Sequence, residues 1–246
     1  MPHKRSSYKD KPVLKGTVRI NKYMADAGLA SRRQADEFIE KGQVFVNGKK
    51  ATTGMQVDPK TDKIEVKGKK EEYVYYAYNK PQGIVTTGKQ GDEEDILSST
   101  KFHKKGIFPV GRLDKDSHGL IILTNDRRIT HRLLDPQFTH EKEYRVSIKG
   151  KLGHSFIKKL ETGVIIDKKR TLAVKVFREG DQTFRIILTE GRNRQIRRMV
   201  EAAGDTVVDL LRIRVEHIKL GDLKEGEFKN IPKTEISALL KKLGLK

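Results

Sequence analysis

No cysteine occurs anywhere in the 246-residue chain. That absence removes disulfides, Cys-ligated zinc and thiol nucleophiles at once. No apolar run is long enough to cross a bilayer, and no charged start leads into an apolar signal core, so a soluble, cytoplasmic protein is expected. Acid is scarce beside base: 52 Lys and Arg stand against 33 Asp and Glu, a formal net charge of +19. An excess of that size draws polyanions by long-range field and by counterion release. Nucleic acid is the first partner it implies. A membrane surface is not expected, because no long amphipathic basic helix is present. Hydrophobic residues make up only 35% of the chain, which limits the core and leaves a strongly ionic surface.

Common ligand-holding motifs are missing too. Asp114-x-Asp116-x-His118-Gly119 begins like a calcium loop, but Asn125 stands where the bidentate Glu belongs and an apolar strand fills the second half. Gly42 to Lys49 lacks the glycine spacing of a phosphate loop and the Ser or Thr that follows its Lys. His140-Glu141 runs into Lys142-Glu143-Tyr144 rather than a zinc-binding His-Glu-x-x-His. No metal and no cofactor are expected.

The chain does contain a clear division. Residues 1–16 form a basic arm without periodicity, in which Lys4, Arg5, Lys9, Lys11 and Lys15 outweigh Asp10. A small module follows over 17–67. Ile20, Tyr23, Met24 and Ala27 share one helical face that stops at Gly28, and Ser31-x-x-Gln34 is a capping box opening a second helix with Ala35, Phe38 and Ile39 inward. Val44-Phe45-Val46, the turn Asn47-Gly48 and Lys49-Lys50-Ala51 read as a hairpin, with Ile64-Glu65-Val66 as a further strand. Arg32 and Arg33 fall in the first turn of the second helix, where cations oppose the helix dipole by about a few tenths of a kcal/mol. The mismatch is reasonable if a phosphate lies at that helix start.

Lys67 to Glu72 reads as a linker, and a larger domain occupies 73–232. Strands are expected over Tyr73–Tyr78, Glu143–Ile148 and Phe184–Leu188 and around Val207 and Ile213–Val215, with helices over Arg127–Leu134 and Asn193–Ala203. Thr87 to Lys105 is polar and reads as a surface loop; residues 233–246 end the chain with a short helix near Glu235–Leu243. Strands and helices are interspersed without a βαβ rhythm, so the expected class is α+β with a mixed sheet.

Two segments carry chemistry. Gly111-Arg112-Leu113-Asp114-Lys115-Asp116-Ser117-His118-Gly119-Leu120 sets a carboxylate on a tight turn just before an apolar strand. In isolation such a turn most often satisfies backbone geometry. Gly191-Arg192-Asn193-Arg194-Gln195-Ile196-Arg197-Arg198-Met199 ends a strand in a glycine turn and enters a helix rich in arginine. Arg194 and Arg198 suit a solvated face, whereas Arg197 lies at the border of the apolar face and suits it less well.

These residues resemble two known families. Arg19 to Tyr23, Gly28 to Arg33 and Gly42-Gln43-Val44-Phe45-Val46-Asn47-Gly48 are similar to the S4 RNA-binding domain. Lys80-Pro81-x-Gly83, Gly111 to Asp114 with Gly119-Leu120, Glu141-Lys142-Glu143-Tyr144 and Gly191 to Met199, in this order, resemble the RsuA-type ribosomal RNA pseudouridine synthases. The likeness spans Arg19 to about Pro232. Phe108-Pro109-Val110 and His140 to Tyr144 make the chain most similar to a large-subunit member of that family.

The resemblance implies isomerisation of a flipped-out uridine in ribosomal RNA, more in the large than in the small subunit. It makes Asp114 the catalytic carboxylate, as nucleophile on C1′ or as base on the C2′ proton. It makes Tyr144 the aromatic residue against the uracil and Arg197 a buried arginine paired with Asp114. Arg112, Lys115, Asn193, Arg194, Gln195, Arg32 and Arg33 become RNA contacts, Arg112 filling the space that the flipped base leaves. Asp116 is read as turn-forming only. A monomer is expected. The competing reading is an RNA-binding ribosome-assembly factor that catalyses nothing, for which charge and the S4 likeness would suffice. A DNA-binding protein lacks a clear helix-turn-helix or zinc motif.

Overall fold

The computed structural model of the chain describes residues 16–67 apart from 28 and 31, and residues 73–245 apart from 101 and 103–105. The basic arm up to residue 15, the Gly28 stop, the Ser31 cap and the linker from 68 to 72 therefore lie outside the described residues. The chain divides into two compact units, Met1–Glu71 and Glu72–Lys246. Among the described residues, no helix is long and apolar enough to cross a membrane.

The first unit runs β1 (Val18–Arg19), α1 (Ile20–Asp26), α2 (Arg32–Glu40), β2 (Val44–Val46), β3 (Lys49–Lys50), β4 (Gln56–Val57) and β5 (Ile64–Val66). The expected faces of both helices close on one core, in which Ile20, Met24, Ala35 and Ile39 pack against Val44 and Val57; Ala27, expected on the α1 face, caps that helix instead and is exposed. Strand β2 is central, antiparallel to β3 and to β5. Asn47 and Gly48 both hold positive φ, 49° and 79°, as a two-residue turn between right-twisted strands requires. Asn47 also accepts from the Lys63 backbone N–H at 2.9 Å and donates to Asp62 at 2.8 Å, which ties the hairpin to the segment leading into β5. The β1–β4 pair was not expected, since two residues are too few to show an alternation.

The second unit runs β6 (Tyr75–Lys80), α3 (Ile96–Thr100), β7 (Phe108–Val110), β8 (His118–Thr124), α4 (Arg127–Leu134), β9 (Lys142–Ile148), α5 (His154–Thr162), β10 (Ile165–Ile166) and β11 (Lys169–Arg170). It continues with β12 (Lys175–Arg178), β13 (Thr183–Leu188), α6 (Gln195–Ala203), β14 (Val207–Val215), β15 (Ile218–Lys219), β16 (Phe228–Asn230) and α7 (Lys233–Lys242). One mixed sheet in the order β12-β13-β9-β14-β8-β6-β16 organises it, with β7 also on β8 and β15 also on β14. Among the described residues its parallel neighbours are β14 and β8, paired at Leu211↔His118 and Arg212↔Gly119. Two antiparallel halves thus meet at a short central seam, and the segment leading into β8 reaches the sheet there.

Each half has its own core. Beneath β9, β13 and β14, Phe156 and Leu160 of α5 pack with Ile196, Met199 and Val200 of α6. On the other side, Ile236, Leu239 and Leu243 join Ala77, Val110, Ile122 and Ile129, so the C-terminal helix is part of this unit's core. The stretch expected as a loop from Thr87 to Lys105 contains α3, and Ile96 and Phe102 within it are buried with Tyr78 and Ile121. The strands expected around Val207 and Ile213–Val215 are one nine-residue strand, β14. Register shifts between Val207 and Asp209 and between Arg212 and Arg214 break its alternation, which is why it looked like two.

Candidate active site

At the seam lies a cavity of about 430 Å³, and every residue lining it comes from the second unit. Asp114 stands in its wall, on the turn between β7 and β8. The turn is fastened peptide by peptide. Thr86 Oγ1 both donates to the Leu113 carbonyl, at 2.7 Å, and accepts from the Leu113 N–H, at 3.0 Å. Gly83 N–H donates to the Lys115 carbonyl at 2.8 Å, and Ser117 N–H donates back to the Asp114 carbonyl at 3.1 Å. Arg197 Nη2 donates to the Asp116 carbonyl at 2.8 Å and to Ser117 Oγ at 3.3 Å.

Lys80 completes the anchorage from below. It is wholly buried, and its Nζ donates to the carbonyls of Ser117 at 2.7 Å and of Pro81 at 2.9 Å. Burial pushes its pKa down to about 8, against the opposing pull of Asp114 and Asp116. Gly119 lets the backbones touch at the seam: its φ is +106°, and a Cβ there would lie 2.4 Å from the Arg212 carbonyl oxygen. The Asp114 carboxylate itself is half-buried and has no hydrogen-bond or ion-pair partner among the described residues. A carboxylate whose loop is fixed while its own oxygens stay unengaged is preorganised to act on something else.

Strands β9 and β14 build the rest of the cavity. Tyr144 and Arg212 are direct cross-strand partners and therefore share a face of the sheet. Lys142, two residues before Tyr144, lies on that face too. All three line the cavity with Asp114. Burial, and then the nearby Arg212 charge, holds the Lys142 ammonium below the usual lysine range.

The arginine-rich segment does something different from the expectation. Arg197 is not paired with Asp114; its Nε lies 3.2 Å from Asp116 Oδ2, and it donates besides to the Asp116 carbonyl, the Ser117 hydroxyl and the Val207 carbonyl. Asp116, expected to form a turn only, is the bridge: Arg194 donates to both its oxygens, at 3.0 and 2.8 Å. The physical reason is the turn itself, which directs the carboxylate two residues beyond Asp114 toward the start of α6. The Arg194 bonds hold the Asp116 pKa below the ordinary carboxylate value, with Arg197 helping and partial burial opposing. Gln195, expected on RNA, is 5% exposed and has both ends occupied. Its Oε1 accepts from the Arg192 N–H at 2.9 Å and its Nε2 donates to Glu190 at 2.6 Å, so it braces the turn internally. Arg198, assigned to a solvated face, reaches Asp167. Arg192 donates to the carbonyls of Lys169 and Arg170 as well as to Glu190.

The remaining predicted contacts are placed as follows. Arg112 and Asn193 are exposed on the cavity rim, and Arg194 lines it beside them. Lys115 is exposed and pairs with Glu93 at 2.7 Å. Arg32 and Arg33 are exposed at the start of α2, in the other unit. Three cations escaped the sequence reading as site residues: Lys142 and Arg212, which line the cavity, and Lys80, buried beneath the turn. No local signal marked them: Lys80 and Lys142 stand at strand ends and β14 also carries Asp209 and Arg214, so their burial follows from how the strands pair.

Comparison with known proteins adds two domains and several relatives. Residues 18–63 match the S4 domain, and residues 74–202 match RNA pseudouridylate synthase. The dual-specificity RNA pseudouridine synthase RluF of Escherichia coli strain K12 is 42% identical over 231 residues, covering 92% of this chain and 79% of that one. The ribosomal large subunit pseudouridine synthase B of Bacillus subtilis is 37% identical over 234 residues, covering 90% and 95%. A solved pseudouridylate synthase superposes with a TM-score of 0.68 at 29% identity, over 90% of this chain and 99% of its own.

Proposed function

The chain belongs to the RNA pseudouridylate synthase family, and from that premise we propose that it converts a uridine of large-subunit ribosomal RNA into pseudouridine. The observation that carries this reading is Asp114: a carboxylate on a turn fastened at every peptide, facing a cavity beside Tyr144, with its own oxygens unengaged. The large-subunit assignment is supported by the names of relatives such as the Bacillus subtilis enzyme.

The target base leaves its stack, at a cost of roughly a few kcal/mol, and enters the cavity. Asp114 then attacks C1′ or removes the C2′ proton as the N1–C1′ bond breaks. The base turns and a C5–C1′ bond forms as the Asp114–C1′ bond breaks or Asp114 returns the proton to C2′; C5 loses its proton and N1 gains one, so the reaction is an isomerisation with no redox step. Tyr144 packs against the uracil ring. Arg197 is a positioning residue that acts through the Asp116 carbonyl and the Ser117 hydroxyl. Arg112, Asn193 and Arg194 on the rim, with Lys115 on the neighbouring surface, meet RNA, Arg112 occupying the space vacated by the base. Arg32 and Arg33, with the backbone N–H groups that begin α2, take phosphate. The chain is taken to act as a monomer. A ribosomal RNA substrate and a cysteine-free chain fit the cytoplasm.

The test is to incubate the purified protein with ribosomal RNA from cells lacking it and to map new pseudouridines by carbodiimide-blocked reverse transcription. The expected result is a new stop in large-subunit RNA that Asp114→Asn abolishes, while that variant binds RNA within about threefold of wild type and melts with it. A stop confined to small-subunit RNA overturns the substrate. No stop on naked RNA or ribosomal particles overturns the catalytic reading in favour of a pure RNA binder.

A further inference from the structure

Arg212 is 4% exposed, yet it lines the cavity that holds Asp114. Its Nε donates to the Leu120 carbonyl at 2.6 Å. Among the described residues, Nη1 and Nη2 have neither a hydrogen-bond nor an ion-pair partner. A guanidinium held at one edge and turned by the other to a cavity is placed to bind a ligand there. The surroundings narrow what that ligand is. Lys142 lies on the same face with one hydrogen bond, to the His140 carbonyl at 3.2 Å. The positive charge of Arg212 contributes to depressing both Lys142 and Lys80. Two carboxylates line the cavity, and Glu190 is already bound by Gln195, Arg192 and the Leu172 N–H. Beyond Asp114, the cations therefore face a space suited to a further negative charge.

Uridine isomerisation creates such a charge only in passing. When N1–C1′ breaks, the bonding pair leaves with the base and spreads over N1, O2 and O4. When C5 has joined C1′, lost its proton and N1 has gained one, the charge is gone. A cation fixed in advance beside the base stabilises that interval more than either end state.

We infer that Arg212 is a further catalytic residue, whose free guanidinium edge holds the carbonyl oxygens of the detached uracil, with Lys142 as the second cation. The inference rests on the uridine-isomerising reading above.

It is tested by single-turnover pseudouridine formation with protein in excess over RNA, comparing wild type, Arg212→Ala and Arg212→Lys, with RNA affinity and melting measured in parallel. Arg212→Ala is expected to slow the chemical step by about a hundredfold or more while RNA affinity stays within about threefold. Millimolar methylguanidinium should restore its rate at least about tenfold, but leave Asp114→Asn inactive, and Arg212→Lys should fall between wild type and Arg212→Ala. A wild-type protein that forms no pseudouridine overturns the functional reading and this inference with it. Wild-type rates in both variants overturn the inference alone. So does a loss that follows RNA affinity, as a phosphate contact would give. If Arg212→Ala is unfolded, a folded Arg212→Lys at the wild-type rate overturns it; a folded and slow Arg212→Lys with unchanged affinity supports it.

Discussion

The two units handle charge in opposite ways. Among the described residues, no charged side chain of the first unit is buried, and its core is made of Ile20, Met24, Ala35 and similar apolar groups. The second unit buries Lys80, Asp126, His140, Glu143, Arg212 and Glu216. A module that only has to grip a polyanion can leave its cations in water, where they cost nothing to fold and still attract phosphate. A site that must act on a bond needs charges fixed in low dielectric, where they are worth more but must be held by partners. Most of these buried groups are so held: Glu143 by Arg185 and Arg214, Glu216 by His140 and Lys242, Asp126 by Arg128 and Tyr75. Arg212 is held at one edge only.

Breaking the seam should give the largest effect. Gly119→Ala would set a Cβ against the Arg212 backbone at a φ of +106°, and should destabilise the protein by roughly 3–5 kcal/mol in denaturant melts. A loss under about 1 kcal/mol would show that the two halves of the sheet are not tightly locked there. Lys80→Met removes the donor for two buried carbonyls but also a buried charge, for a net loss of roughly 1–3 kcal/mol. Its signature is pH. The lysine is pushed from 10.5 to about 8, so between those values the unfolded chain binds more protons and wild-type stability rises with pH. Lys80→Met should lack that rise; an identical pH profile would mean that Lys80 is not buried as a cation.

Smaller effects follow at the surface of the site. Asp116→Asn unfastens Arg194 and weakens the Arg197 contact, but the carboxylate is 45% exposed, so the stability loss should stay under about 1 kcal/mol. Because its pKa is lowered, what it contributes is present above 3.8 and is lost as pH falls below that value. Turnover should fall about tenfold, since the turn carrying Asp114 loosens; an unchanged rate would show that the backbone bonds suffice. The first unit should respond oppositely. Arg32→Ala with Arg33→Ala should leave stability within about 0.5 kcal/mol, yet reduce the slope of log affinity against log salt by about 1.4–1.8. An unchanged slope would remove both residues from the RNA interface.

Much of this was legible from residues alone, for identifiable reasons. The helical faces of α1, α2 and α6 announce themselves because burial repeats at the helical period, and Asn47-Gly48 because few residues accept its backbone. Asp114 and Tyr144 could be named because they sit in ordered motifs. Strand β14 was read as two because its bulges break the alternation, and α3 was missed because a polar stretch hid two buried anchors, Ile96 and Phe102.

The sequence by itself determined the two-part organisation, the α+β class, the attraction to RNA and the choice of Asp114 as the candidate carboxylate, since each depends on composition, local period or contiguous motif. Only the tertiary structure decided which charges meet. Arg197 and Asp116 are 81 residues apart in their shortest contact, Lys80 and Ser117 37, and Arg212 and Leu120 92. Such pairings follow from strand order and register across the seam, which no single segment encodes, and a register change of one residue would turn Lys80 and Arg212 to the opposite face of the sheet.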